Sequence, residues 1–234
     1  DSIESRLYDN VSPPVYSPDS EHLSYTVEDN GKWFMITDGE EGPRYDRTGV
    51  FNYSPDSKRL AYTAKIGDDA FMVLDGEKCE EFDGVAVPIF SPDSKRFSYL
   101  AIDNKNWLMV IDGKKSSKYD EVGLFQYSPD SLHHSYSARI GKKWFMVIDG
   151  EQASKYDAIF LQTYSDDSRN LAYMAREGEK WKMVFNGQES PAYDVATPPQ
   201  FSPDSNHMVY MAKEKDKWMV IKDGEKLPGF DGAS

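Results

Sequence analysis

One ten-residue phrase constrains this chain more than any bulk property. Tyr53–Tyr62 reads YSPDSKRLAY, Phe90–Tyr99 reads FSPDSKRFSY and Tyr127–Tyr136 reads YSPDSLHHSY. Ser-Pro-Asp-Ser begins at Ser17, Ser54, Ser91, Ser128 and Ser202, with Ser-Asp-Asp-Ser at Ser165, each step being 37 residues. Asp-Gly begins at Asp38, Asp75, Asp112, Asp149 and Asp223, and Asn186-Gly187 fills the gap. Tyr/Phe-Asp falls at Tyr45, Phe82, Tyr119, Tyr156, Tyr193 and Phe230. Three markers in step, without insertion, identify a fold assembled from copies of one supersecondary unit.

The local pattern decides which unit. Leu60, Tyr62 and Ala64 alternate against Ala61 and Thr63, the two-residue period of a strand. Trp144–Ile148 is a short apolar run closed by Asp149-Gly150, as in a strand buried on both faces. Ser-Pro-Asp-Ser is turn chemistry, since proline presets φ and Asp and Ser bond nearby amides. Asp-Gly suits a tight hairpin because glycine accepts positive φ. In the second unit the expected strands are Val50–Tyr53, Leu60–Ala64, Ala70–Leu74 and either Pro43–Asp46 or its successor Glu80–Asp83. A four-stranded antiparallel unit repeated about an axis is a propeller blade.

The expected fold is therefore all-β: a six-bladed β-propeller with four antiparallel strands per blade, forming one domain over residues 1–234. Tyr8-Asp9 is a seventh copy of the outer-strand marker, so residues 1–9 are expected to serve as a closure strand. Tyr25, Tyr62, Tyr99, Tyr136, Tyr173 and Tyr210 share one column of the repeat. Trp33, Ala70, Trp107, Trp144, Trp181 and Trp218 share another, and Met35, Met72, Met109, Met146, Met183 and Val220 a third. Such stripes are expected to wedge neighbouring units together, each aromatic burying roughly 150–250 Å².

These residues resemble the TolB-type β-propeller repeat, a relative of WD repeats: a Phe/Tyr-Ser-Pro-Asp turn, a Lys-Arg-hydrophobic-Ala-Tyr strand, and an aromatic-Val strand ending in Asp-Gly. Tyr53–Tyr62 with Phe71–Gly76, and Phe90–Tyr99 with Trp107–Gly113, carry the match. The family's turn usually ends in Gly, whereas Ser20, Ser57, Ser94, Ser131, Ser168 and Ser205 stand here. The resemblance implies a propeller that binds proteins or serves as a non-catalytic part of a larger machine. It also favours a periplasmic or extracellular location.

Composition narrows the chemistry. A formal charge of −13 disfavours binding to a phosphate backbone, which needs clustered Lys and Arg. One cysteine, Cys79, builds neither a disulfide framework nor a zinc cluster within the chain. Apolar runs of a few residues are too short for a membrane span. Gly-x-Ser-x-Gly, His-Glu-x-x-His and phosphate-cradling glycine loops do not occur. The Asp columns repeat like a fold requirement, whereas a catalytic carboxylate pair breaks symmetry.

No catalytic residue, cofactor or metal ligand is assigned, and the expected function is a non-enzymatic platform for another protein. The units differ most in the links between them, which makes Arg47, Glu121, Arg139 and Phe160 the candidate binding residues. An alternative is a small-ligand or hydrolase-type site at a channel mouth lined by Asn52, Gln126, Thr163 and Gln200. A third reading makes the chain a structural segment of a longer array. His22, His133 and His207 share a polar column, while His134 replaces an apolar residue and is read as a core histidine.

Overall fold

The computed structural model describes residues 6–227. Those residues form six consecutive antiparallel sheets and no helix. By its contacts the chain falls into two compact units, Asp1–Lys118 and Tyr119–Ser234. The first holds sheets one to three and the second sheets four to six.

The second sheet shows the common plan, with strands Arg47–Tyr53, Leu60–Ile66, Asp69–Leu74 and Glu77–Phe82 paired in chain order. The outer strand is therefore the successor segment, not the one around Pro43. The fourth sheet matches it strand for strand: Glu121–Tyr127, His134–Ile140, Lys143–Ile148 and Glu151–Tyr156. In the first, third and fifth sheets the outer strand shrinks to Glu40–Glu41, Lys114–Lys115 and Gln188–Glu189. The next residue there is Gly42, Ser116 or Ser190, each donating its amide to a methionine carbonyl of the third strand. Cys79 and Ala153 hold that position in the longer strands and pack against the core instead. In sheets one and six the opening strand is split, as Asn10–Val11 with Val15–Tyr16 and as Val195–Ala196 with Gln200–Phe201.

The Ser-Pro-Asp-Ser turn is closed by its own side chains. Ser54 Oγ donates to Asp56 Oδ1 (2.6 Å) and accepts from the Arg59 amide (3.0 Å), while Asp56 Oδ1 accepts from the Lys58 amide (3.2 Å). The last serine of every turn sits at φ between 60° and 67°. That region costs an L-residue roughly 1–2 kcal/mol, which explains why glycine is usual there. The serine supplies an offsetting bond. Asp19 N donates to Ser57 Oγ (3.0 Å), Asp56 N to Ser94 Oγ (2.9 Å), Asp130 N to Ser168 Oγ (2.8 Å) and Asp167 N to Ser205 Oγ (3.0 Å). Each bond clamps one sheet's turn to the next.

At the Asp-Gly hairpins both residues have positive φ (53° and 84° at Asp75-Gly76), the type I′ geometry that matches strand twist. The aspartate also ties the hairpin to the second strand: Asp75 accepts from the Leu60 amide (3.0 Å) and from Arg59 Nε (2.9 Å). His22, His133 and His207 take the arginine's place on Asp38, Asp149 and Asp223, each at 2.7 Å. Where Asn186 replaces the aspartate, Asn170 replaces the cation, and its carbonyl accepts from the Asn186 amide group at 2.9 Å. That polar column is thus structural.

Within each unit the core lies between sheets. Met35 of the first sheet packs with Tyr62 and Val73 of the second, and Met72 with Tyr99 and Val110 of the third. Met146 packs with Tyr173 and Val184, and Met183 with Tyr210 and Ile221. The methionine column therefore faces the following sheet and the tyrosine column the preceding one. The tryptophans are shallower than expected: Trp33, Trp107, Trp144 and Trp181 are half-buried and Trp218 is 56% exposed. They open the third strand, at the margin of the packed layer. His134 is half-buried, stacked 5.8 Å from Phe125 and 3.3 Å from Asp149 Oδ1, as a core-edge histidine would be.

Candidate functional site

Each sheet has two edges. One carries the Ser-Pro-Asp-Ser and Asp-Gly turns. The other carries the hairpin between the second and third strands and the link from the outer strand to the next sheet. The link edge has its own fixed element. The aspartate after each Tyr/Phe marker accepts the first amide of the neighbouring hairpin, as in Asp46 to Gly67 (2.7 Å), Asp120 to Gly141 (2.6 Å) and Asp157 to Gly178 (2.8 Å). Asp46 is also held by Lys32, and Asp157 by Lys143; these lysines are the main reason both carboxyls lie below the ordinary range.

On that frame the fourth and fifth sheets display an aromatic and cationic surface. Register places Glu121 opposite Arg139, and Arg139 opposite Trp144. Arg139 donates through Nε (3.1 Å) and Nη2 (3.0 Å) to one oxygen of Glu121, and through Nη1 to the Gly141 carbonyl (2.7 Å). Its guanidinium lies 5.8 Å from the Trp144 ring centre. In the fifth sheet Arg176 is directly opposite Trp181, 5.9 Å from its ring. Phe160 covers the same tryptophan at 5.2 Å while remaining 46% exposed.

Of the four candidate residues, the structure thus brings Glu121 and Arg139 into contact and places Phe160 on the same edge of the adjoining sheet. Arg47 belongs to the other unit. It lines a shallow cleft of about 280 Å³ with Lys65, Asp83 and Val85, and no aromatic residue is beside it there. Trp144 and Trp181 were not singled out from the sequence as surface groups. The signal was present, because an arginine two residues before a hairpin glycine and a tryptophan three residues after it must face each other across two strands.

The channel candidates divide between the units. Asn52 is exposed and donates to the Pro88 carbonyl (3.4 Å); Gln126 and Thr163 are half-buried; Gln200 is exposed. The first strands instead offer aliphatic groups at their bulges: Val50 and Val87 in one unit, Leu124 and Leu161 in the other, all more than half exposed. Val87 and Leu161 hold φ of 43° and 41°, strained for such side chains. At the same bulge Gln162 is buried, donating to the Leu124 and Ser135 carbonyls (3.1 and 2.9 Å).

A groove of about 380 Å³ opens between the fifth and sixth sheets, walled by Met183, Phe185 and Met208 with Ser190 and Tyr210. Its counterpart between the first and second sheets is walled by Met35, Leu60, Tyr62 and Pro43. Both lie where the outer strand is shortened at Ser190-Pro191 or Gly42-Pro43. Among the described residues no three His, Cys, Asp or Glu side chains are grouped to hold a metal ion.

No protein-family model matches the chain, and no curated protein matches it. Solved structures do. TolB from Acinetobacter baumannii is similar at 18% identity, over 92% of this chain and 62% of that one, with a TM-score of 0.41. The β-propeller domain of the Trilobed protease from Pyrococcus furiosus, with an open velcro topology, is similar at 13% identity over 97% and 86%, TM-score 0.48. Pyrococcus horikoshii acylaminoacyl peptidase is similar at 14% identity over 96% and 46%, TM-score 0.44. The chain spans less than two thirds of the TolB and peptidase chains. Its structural neighbours thus include TolB and other β-propeller proteins, the repeat type that its sequence resembles.

Proposed function

We propose that this chain is a non-enzymatic protein-binding platform of propeller type, one domain of six blades, which engages its partner through the link edge of the fourth and fifth sheets. The observation that carries the reading is the pair of tryptophan–arginine stacks, Trp144 with Arg139 and Trp181 with Arg176, extended by exposed Phe160. Tryptophan and arginine are enriched at the energetic centres of protein interfaces, where their large flat groups pack in desolvated pockets. Here Arg139 is already held by Glu121 and the Gly141 carbonyl, so less of its freedom remains to be lost on binding. Glu121 keeps Arg139 oriented and Arg47 marks the corresponding edge of the second sheet.

The carboxylate columns support a non-catalytic role. Asp38, Asp75, Asp149 and Asp223 each accept a backbone amide at the start of the second strand, and Asp46, Asp120 and Asp157 cap neighbouring hairpins. These are fold duties repeated sheet by sheet. The periplasmic or extracellular location implied by the TolB-type resemblance fits a binding platform.

The test is retention of binding partners from a periplasmic or secreted extract by the immobilised chain and by an Arg139→Ala/Phe160→Ala variant. The variant should lose a partner that the native chain retains. Equal retention, with unchanged circular dichroism, would rule this edge out.

A further inference from the structure

The groove between the fifth and sixth sheets traces to one position of the repeat. In the second and fourth sheets that position is Cys79 or Ala153, on a long outer strand, and its side chain packs against the layer shared with the next sheet. In the fifth sheet it is Ser190, whose hydroxyl turns to backbone instead, accepting from the Met183 amide (2.9 Å) and donating to the Pro191 carbonyl (2.8 Å). The space left open is the groove of about 380 Å³, floored by Met183, Met208 and Tyr210, all buried, and flanked by Phe185. Ser190 and Tyr193 still pair with the backbone of Met183 and Trp181, so the third strand offers no free edge for an added peptide strand there.

The lining is specialised for a ring. Phe185 is the one aromatic residue in its column, which elsewhere reads Thr37, Leu74, Ile111, Ile148 and Lys222. It is half-buried, with its ring 6.2 Å from that of Phe201. Met183 and Met208 bring two thioethers to the same groove, and methionine sulfur packs favourably against aromatic edges.

The floor also holds a polar group without a partner. Tyr210 is 3% exposed, and its hydroxyl makes no hydrogen bond among the described residues. Ser190 and Tyr193 lie near it without hydrogen-bonding geometry. Burial pushes this hydroxyl up to about 12, so it stays protonated and able to donate. A buried polar group left unpaired is costly, and one that lines a groove is answered by whatever enters.

The rim sets the charge of the occupant. Glu189 already accepts from the Tyr156 hydroxyl (2.7 Å) on one oxygen and from Lys182 (2.8 Å) on the other. Asp223 accepts from the Met208 amide (2.8 Å) on one oxygen, and its other lies 2.7 Å from His207 Nδ1. A cation entering the groove would find both carboxylates engaged, and an anion would be repelled by them.

We infer that this groove binds a small neutral aromatic molecule carrying one hydroxyl or N–H group, of the phenol or indole class. The ring lies between Met183, Met208 and Phe185, and the polar group meets the Tyr210 hydroxyl. A volume of about 380 Å³ sits at the lower end of the roughly 300–1,000 Å³ of small-molecule sites. The counterpart groove between the first and second sheets has Thr37 and Leu60 where this one has Phe185 and Met208, and serves as the internal control. The site is separate from the link edge, since its rim is formed by Asn206 and by Asp223-Gly224 of the turn edge.

Titration of the intact chain with phenol, followed through methionine methyl resonances, tests this. The Met183 and Met208 signals should shift and saturate, while Met35 in the counterpart groove stays in place. Toluene should bind more weakly than phenol, and benzoate should not bind. Tyr210→Phe removes only an unpaired hydroxyl, so the fold should hold; phenol affinity should fall several-fold, up to about tenfold, with toluene unaffected. Phe185→Thr, which copies the counterpart groove, should weaken both. Shifts that never saturate, shifts at Met35 equal to those at Met183, or undiminished phenol binding by either variant would overturn the inference.

Discussion

The two edges of the fourth and fifth sheets are built from the same strands but obey different rules. On the turn edge, Ser128–Ser131 and Ser165–Ser168 make the same serine–aspartate bonds, and Ser168 Oγ receives the Asp130 amide across the gap. The hydrogen-bonded pairs there repeat, and where one changes its partner changes with it, as Asn170 and Asn186 do. On the link edge the aspartate caps repeat, at Asp120 and Asp157, and so does the arginine–tryptophan pair, but the groups around that pair do not. Glu121 with Arg139 has no copy in the fifth sheet, where Ala158 lies opposite Arg176 and Phe160 takes over the tryptophan. A repeat protein keeps identical whatever joins one unit to the next. What it lets differ, over fixed caps, is free to serve a partner.

If the comparison is right, the largest loss of stability comes from the layer that both edges share. Tyr173 is buried against Met146 and Tyr156, and Tyr173→Ala should cost about 3–5 kcal/mol in urea unfolding. A change within error would show that the interior columns do not hold the sheets.

Acid should act next, and on the turn edge. In Asp19, Asp56, Asp130, Asp167 and Asp204 the bond from the neighbouring serine hydroxyl lowers the carboxyl below its ordinary 3.8, in Asp204 to about 2. A depressed folded-state pKa gives stability that is full above the unfolded value and lost as pH falls through the folded one. The denaturation midpoint should therefore hold down to about pH 4 and drop between there and about 2. A midpoint insensitive to pH over that window would mean the turn carboxylates are not engaged.

A smaller effect separates strain from clamp. Ser168→Ala keeps the positive φ and loses the bond from Asp130, and should cost about 1–2 kcal/mol. Ser168→Gly loses the same bond but relieves the backbone, and should cost visibly less. Equal losses would remove strain from the explanation.

The link edge should respond least. Arg139→Ala and Phe160→Ala should each stay within about 0.5 kcal/mol of the native chain, as exposed positions do, while partner retention falls. A large stability loss at either residue would assign this edge to the fold as well.

The strands, their order and the turn types were legible because each is local: alternation at Leu60–Ala64 and Asp-Gly at Asp75 carry their own geometry. The serine that replaces glycine looked like a turn variant. It is an inter-sheet clamp, invisible in sequence because its partner lies 38 residues upstream. Arg139 and Phe160 stood out by their variation, but Trp144 and Trp181 read as core until the register put them beside arginines. The channel candidates were named as first-strand residues, and the bulges at Val87 and Leu161 that interrupt the pairing of that strand have no signature in the repeat.

By itself, the sequence determined six copies of an antiparallel four-strand unit, since hydrogen bonding and turn chemistry act over a few residues and repeat whenever the letters repeat. Tertiary structure alone decided which copies of a repeated side chain are covered. Tyr62 and Tyr25, or Met183 and Val220, occupy one column each and differ because burial depends on a neighbouring sheet, which no position writes within its own repeat.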